Sequence, residues 1–146
     1  PYPRAFLRGR PGVHRLIEKK AQELPPAFFE EHLREGDFLF IDSTHTVKTG
    51  SDCMYLYLKI LPYLKTRVFI HSHDIFLPEA MPADWQIEKR LYFTEQYLLL
   101  ALLLGNPNFE VLYGSNYHRL MNPDLFTDYN GPHSTSAGQS FWYRRL

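Results

Sequence analysis

Four residues in two short segments have the types and spacing to do chemistry. Asp42 and His45 close the run Phe38-Leu39-Phe40-Ile41-Asp42-Ser43-Thr44-His45. His73 and Asp74 close the run Val68-Phe69-Ile70-His71-Ser72-His73-Asp74-Ile75. Each run is apolar, of strand length, and stops abruptly at carboxylate and imidazole. Such groups are costly at the end of a buried strand unless they have partners. Two carboxylates with one or two imidazoles can bind a divalent cation. They can also act as general bases, and histidine is suited to work near neutral pH. The residue types alone leave these roles open. His71 and His73 share a face if the strand runs that far, which makes His71 a candidate too. A single Asp-x-x-His is more often a cap or a loop anchor. Two Asp/His clusters at successive strand ends tip the reading toward a functional site.

These residues must be positioned by the elements around them. Ligands of open α/β sheets bind outside the carboxyl ends of strands. If strands 38–42 and 68–72 are adjacent and parallel, the four side chains converge on one crevice. The segment between them, 49–64, reads as a helix. Thr49 and Asp52 have capping-box spacing, and Met54, Leu58 and Leu61 form an apolar line. Upstream, residues 4–10 suit a short helix, 14–19 a weak strand, and 27–34 a helix opened by Pro25-Pro26. Downstream, a Pro-rich acidic loop covers 76–84, either as a lid or as an ordinary connection. A long helix is expected from about Gln86 to Leu104, ended by Gly105-Asn106-Pro107. Its stretch 97–104 is apolar all round, which predicts burial. Strands at 109–113 and 140–143 flank a loop at 114–138. Strands alternating with helices predict an α/β fold with a mainly parallel sheet. The last two strands lack an intervening helix and are expected to pair antiparallel.

The chain has 146 residues, enough for one domain. Sixteen Lys and Arg balance sixteen Asp and Glu. That balance argues against a nucleic-acid partner, which needs a basic face. The lone Cys53 rules out an intrachain disulfide and a cysteine zinc site, and it fits a reducing, cytoplasmic setting. The longest apolar run is well short of the roughly 20 residues that span a bilayer, so no membrane partner is expected. Among lesser candidates, Lys48 could reach an anionic ligand. Glu95 and Gln96 either face the 76–84 loop or, by default, lie on the surface. Trp85, Trp142 and Tyr143 suit a core or an interface.

Residues 40–52 (FIDSTHTVKTGSD) followed by 68–76 (VFIHSHDIF) resemble the class I S-adenosylmethionine-dependent methyltransferases. The likeness is to the bacterial branch with Asp-x-x-His after the fourth strand and His-Asp after the fifth. Residues 95–99 (EQYLL), 106–112 (NPNFEVL) and 140–145 (SFWYRR) are similar to that branch as well. The resemblance implies a Rossmann-like seven-stranded sheet in the order 3-2-1-4-5-7-6 with the last strand antiparallel. It maps strand three near 14–19, four at 38–42, five at 68–72, six at 109–113 and seven near 140–143.

By the same resemblance the cofactor is S-adenosylmethionine, contacted by Tyr2, Gln22 and Asp42. A divalent cation such as Mg2+ would be held by Asp42, His73 and Asp74. His45 would be the catalytic base, with Asp42 and His73 beside it, and the other partner would be a small-molecule or sugar-containing methyl acceptor. The chain departs from the family in having no Gly-rich loop after an early strand. The expectation is therefore a C-terminal portion of one methyltransferase domain, lacking the first two strands and inactive without the missing N-terminal segment of the same protein. Two other functions compete: a metal-dependent hydrolase built on His71-Ser72-His73-Asp74, and a catalytically inactive binding module.

Overall fold

The structure is a computed structural model and describes residues 5–64, 67–125 and 139–146. The elements in order are α1 (Pro26–His32), β1 (Phe38–Ile41), α2 (Asp52–Tyr55), β2 (Phe69–His73), α3 (Ala83–Ile87), α4 (Glu95–Leu103), β3 (Phe109–Gly114), α5 (Ser115–Met121) and β4 (Ser140–Arg145). The α2 helix continues as a π-helical stretch, Leu56–Ile60, and then a 3-10 turn, Leu61–Tyr63. Pro62 lacks the N–H that a further α-turn would need.

The fold is α/β around a four-stranded mixed sheet of order β1-β2-β4-β3. β1 and β2 pair in parallel, with Ile41 opposite Ser72. β4 runs antiparallel to both β2 and β3. Three strands therefore point one way and only β4 opposes them. The expected predominance of parallel pairing is not what forms. β4 inserts between β2 and β3, so two of the three pairings are antiparallel. The expected antiparallel pairing of the last two strands is present.

Strand alternation divides the sheet into two faces. Ile41, Ile70, Phe141 and Tyr143 point into a core with Cys53, Leu56, Tyr57, Ile60, Leu61 and Leu99 from the helices. Phe38, Phe40, Phe69, His71 and Trp142 alternate with them on the opposite face. Phe38 and Phe40 remain 65% and 58% exposed there. Among the described residues the sheet is covered on one side.

Several expectations need correction. Residues 14–19 form no strand and join no sheet. A strand exists only through its neighbours, and among the described residues this stretch pairs with none. The cap of α2 is Ser51, whose Oγ accepts from Met54 N, not the Thr49/Asp52 pair. Asp52 is used elsewhere, by Thr44. The long helix 86–104 is two helices, α3 and α4, separated by residues 88–94. Residues 97–104 are not buried all round: Leu99 is fully buried, but Tyr97 and Leu104 are 51% and 69% exposed. The expected loop 114–138 begins with α5, and its residues 126–138 lie outside the described residues, as does Tyr2.

Candidate functional site

The backbone turns sharply just beyond the ends of β1 and β2. His45 and Asp74 both take left-handed conformations, with φ of 55° and 56°. Non-glycine residues seldom do so, although Asp and His are among the more tolerant. Local strain of this kind persists where surrounding contacts over-determine it. Here those contacts are visible. The His45 carbonyl accepts from Thr94 N at 2.8 Å and from Glu95 N at 3.2 Å. Thr94 Oγ1 accepts from Val47 N at 2.8 Å. Asp52 accepts from both Thr44 N and Thr44 Oγ1, at 3.0 and 2.6 Å. The loop after β1 is thus strapped to the starts of α2 and α4. These same bonds split the long helix expected from the sequence, because Thr94 and Glu95 commit their N–H groups to His45.

The parallel pairing of β1 and β2 brings Asp42, His45 and Asp74 together. His45 Nε2 lies 3.3 Å from Asp42 Oδ1 and 3.5 Å from Asp74 Oδ2. One donor atom from each of the three lies within 4.8 Å of the others, a donor set that a divalent cation could bridge. Asp42 is the exposed member, Asp74 is half-buried and His45 is buried. A cavity of about 600 Å³ opens beside them, lined among others by Gln22, Asp42, Ser43, Thr44 and Lys48. That size suits a small organic ligand. Gln22 Nε2 donates to Gly50 O at 3.0 Å, while its Oε1 is buried without a hydrogen-bond partner among the described residues.

His73 stands apart from this group. It continues β2, so it shares the open sheet face with His71, their rings 6.0 Å apart. Its Nδ1 is 3.1 Å from Asp74 Oδ1 but is not aligned for a hydrogen bond. His71 stacks on Trp142 at 4.4 Å. Ser72, between the two histidines, is buried on the opposite face against Tyr57. The run His71-Ser72-His73-Asp74 is therefore dispersed over two faces and forms no single donor set. Lys48 lines the cavity.

Sequence reasoning missed the carboxylate behind His45. Glu95, expected on the surface, is 1% exposed. Its Oε2 accepts from His45 Nδ1 and from Ser43 Oγ, both at 2.7 Å, and its Oε1 accepts from Tyr57 Oη at 2.5 Å. Ser72 Oγ lies 2.7 Å from Tyr57 Oη and 3.1 Å from Tyr143 Oη. Each hydroxyl has one proton, and a carboxylate can only accept. The donors must then run Tyr143 to Ser72 to Tyr57 to Glu95. Gln96 is buried too, and its side chain ties Phe76 N and Glu79 O of the 76–84 loop. The available signal was a polar Glu95-Gln96 pair opening an otherwise apolar helix.

Burial is the largest influence on the His45 ring and pushes its pKa down. The Glu95 hydrogen bond and the charges of Glu95, Asp74 and Asp42 together outweigh it, so the pKa is raised. Tyr57 is driven well up by burial, reinforced by Tyr143 and Glu95, and stays a protonated donor. Burial pushes the Cys53 thiol up to about 11, which leaves it an inert neighbour of Ser43. The site can hold a proton, hold a cation, or take a proton from a ligand hydroxyl. No family model, curated protein or solved structure matches this chain.

Proposed function

We propose that this chain carries the acceptor-activating part of an S-adenosylmethionine-dependent O-methyltransferase with a Rossmann-like sheet. One observation carries the reading. Asp42, His45 and Asp74 converge beyond the carboxyl ends of two adjacent parallel strands, where ligands of such sheets bind. The sheet order supports it as well. β1-β2-β4-β3, with β4 reversed, equals the 4-5-7-6 half of the sheet implied by the resemblance.

The residues present fit a divalent cation better than they fit the whole methyl donor. Asp42 and Asp74 offer carboxylate oxygens to a cation, with His45 Nε2 in reach of both. For the donor, the cavity beside Asp42 has room, and the free Gln22 Oε1 offers an acceptor. Among the described residues no Gly-rich loop follows a strand to cradle it. S-adenosylmethionine, when bound, supplies an electrophilic methyl group. The work of this chain is on the proton. An acceptor hydroxyl seated between Asp42 and Asp74 gives its proton to His45 Nε2, and the carboxylates on either side stabilise the imidazolium that forms. A cation on Asp42 and Asp74 would lower the hydroxyl pKa and orient the oxygen. The acceptor is a hydroxylated small molecule or a sugar-containing metabolite.

The test is transfer of a labelled methyl group from S-adenosylmethionine to a panel of hydroxylated metabolites by the natural gene product. Asp42→Ala, His45→Ala and Asp74→Ala should each reduce transfer by on the order of 10²-fold or more while the protein stays folded. Transfer at wild-type rates in all three variants would remove this cluster from the reaction.

A further inference from the structure

We propose that Glu95 is the positioning residue of this site: it holds the Nδ1 proton of His45, so that the neutral ring keeps its bare nitrogen, Nε2, aimed between Asp42 and Asp74. The inference rests on the reading of His45 as the base. It adds the group that makes His45 competent, on the side of the ring away from any ligand.

In neutral imidazole one nitrogen donates and the other accepts. Nδ1 faces Glu95 Oε2 at 2.7 Å, and Nε2 faces Asp42 and Asp74 at 3.3 and 3.5 Å. A carboxylate accepts only, so the close contact requires the proton on Nδ1. The opposite tautomer would set a bare Nδ1 against Glu95 and place N–H where a hydroxyl proton must arrive. Such a ring cannot act as a base at Nε2.

Glu95 is itself fixed. Its Oε2 also accepts from Ser43 Oγ and its Oε1 from Tyr57 Oη. Tyr57 is held by Ser72, and Ser72 by Tyr143. The donor direction along Tyr143, Ser72 and Tyr57 has one solution, and it ends on Glu95. Rotation of the carboxylate would strand at least two buried donors, at a cost comparable to a lost hydrogen bond for each. Ring rotation is limited by Phe93, whose centroid lies 4.3 Å from that of His45. The backbone adds a further constraint, because Glu95 N donates to the carbonyl of the residue whose ring it holds. Residue 95 thereby fixes both the main chain and the side chain of His45.

The experiment records long-range 1H–15N spectra of His45 in the natural protein at alkaline pH, where the ring is neutral, and in Glu95→Gln. The wild type should show the proton on Nδ1. In Glu95→Gln the side-chain amide can donate to Nδ1, so a population with the proton on Nε2 should appear. Methyl transfer in this variant should fall by on the order of 10²–10⁴-fold, with the fall in kcat and little change in KM for the acceptor. Glu95→Asp, which keeps an accepting carboxylate, should restore part of the rate. A Ser43→Ala variant, which removes another Glu95 partner and the acceptor of His45 N but leaves the Glu95 contact with Nδ1, should keep the wild-type tautomer. A wild-type ring with its proton on Nε2 overturns the proposal without recourse to any variant. So does a folded Glu95→Gln protein with wild-type kcat. An Nδ1-protonated wild-type ring in a protein without methyl transfer would instead refute the reaction and leave the positioning role standing.

Discussion

His45 and His71 are equally buried, each 6% exposed, yet their pKa values move in opposite directions. His45 sits at the end of the sheet among three carboxylates, and its pKa is raised. His71 sits mid-strand on the open face, stacked on Trp142, with neither ring nitrogen hydrogen-bonded among the described residues. Burial lowers its pKa and the nearby His73 lowers it further, against a weaker opposing pull from Asp42. Burial alone therefore does not determine a histidine's charge; its partners do. The sheet end is a hydrogen-bonded polar network whose hub, Glu95, is buried, with Asp42 exposed at its rim. The open face is aromatic surface with an orphaned imidazole, where the same residue type is held neutral.

The largest effect should come from breaking the network at its hub. Glu95→Ala leaves His45 Nδ1, Ser43 Oγ and Tyr57 Oη without their acceptor. It should cost about 3–5 kcal/mol of stability by urea denaturation. A loss below about 1 kcal/mol would mean the network contributes little to the fold. Tyr57→Phe removes one donor to Glu95 and the acceptor of Ser72, and should cost roughly 2 kcal/mol by the same measurement.

The two histidines predict opposite pH dependences. His45 has a raised folded pKa. Its contribution to stability is complete below the ordinary value of 6.5 and is lost as pH rises through the raised value. His71 has a lowered folded pKa. Its contribution is present above 6.5 and is lost as pH falls through the lowered value. Urea midpoints across pH should therefore lose their alkaline-side decline in His45→Gln and part of their acid-side decline in His71→Phe. Unchanged profiles in both would erase the contrast.

At neutral pH, His71→Phe should leave stability unchanged or raise it by about 1 kcal/mol, because an unsatisfied imidazole is exchanged for a ring that still stacks on Trp142. The smallest effect should be Phe40→Ser, within about 0.5 kcal/mol by urea denaturation. Its ring is already largely in water. A large loss there would show that the open face is more enclosed than its exposure indicates.

Legibility in the sequence follows the range of the forces involved. The runs that became β1 and β2 were readable because each is a short apolar stretch with turn or polar residues at both ends. The Asp42 and Asp74 pairing was readable because parallel neighbours align their carboxyl ends. His73 does stay beside Asp74, 3.1 Å away, but strand alternation turns its ring to the other face, so it does not join the donor set that Asp74 forms with Asp42 and His45. Glu95 was hidden by a helix boundary that local propensity does not set: residues 86–104 favour helix throughout, and the break comes from Thr94 and Glu95 bonding the His45 carbonyl. The α5 helix was hidden in turn-like composition.

The sequence by itself determined the chemistry available at the strand ends: which residues carry carboxylate and imidazole, and that each of two apolar runs stops at such a pair. Those are consequences of residue identity and of short-range alternation. Tertiary structure alone decided which groups meet. It made His45, and not His73, the imidazole that reaches both aspartates, and brought Glu95 across fifty positions of chain. Contacts between distant segments depend on how elements pack, and burying a polar group is tolerable only where packing also delivers its partners.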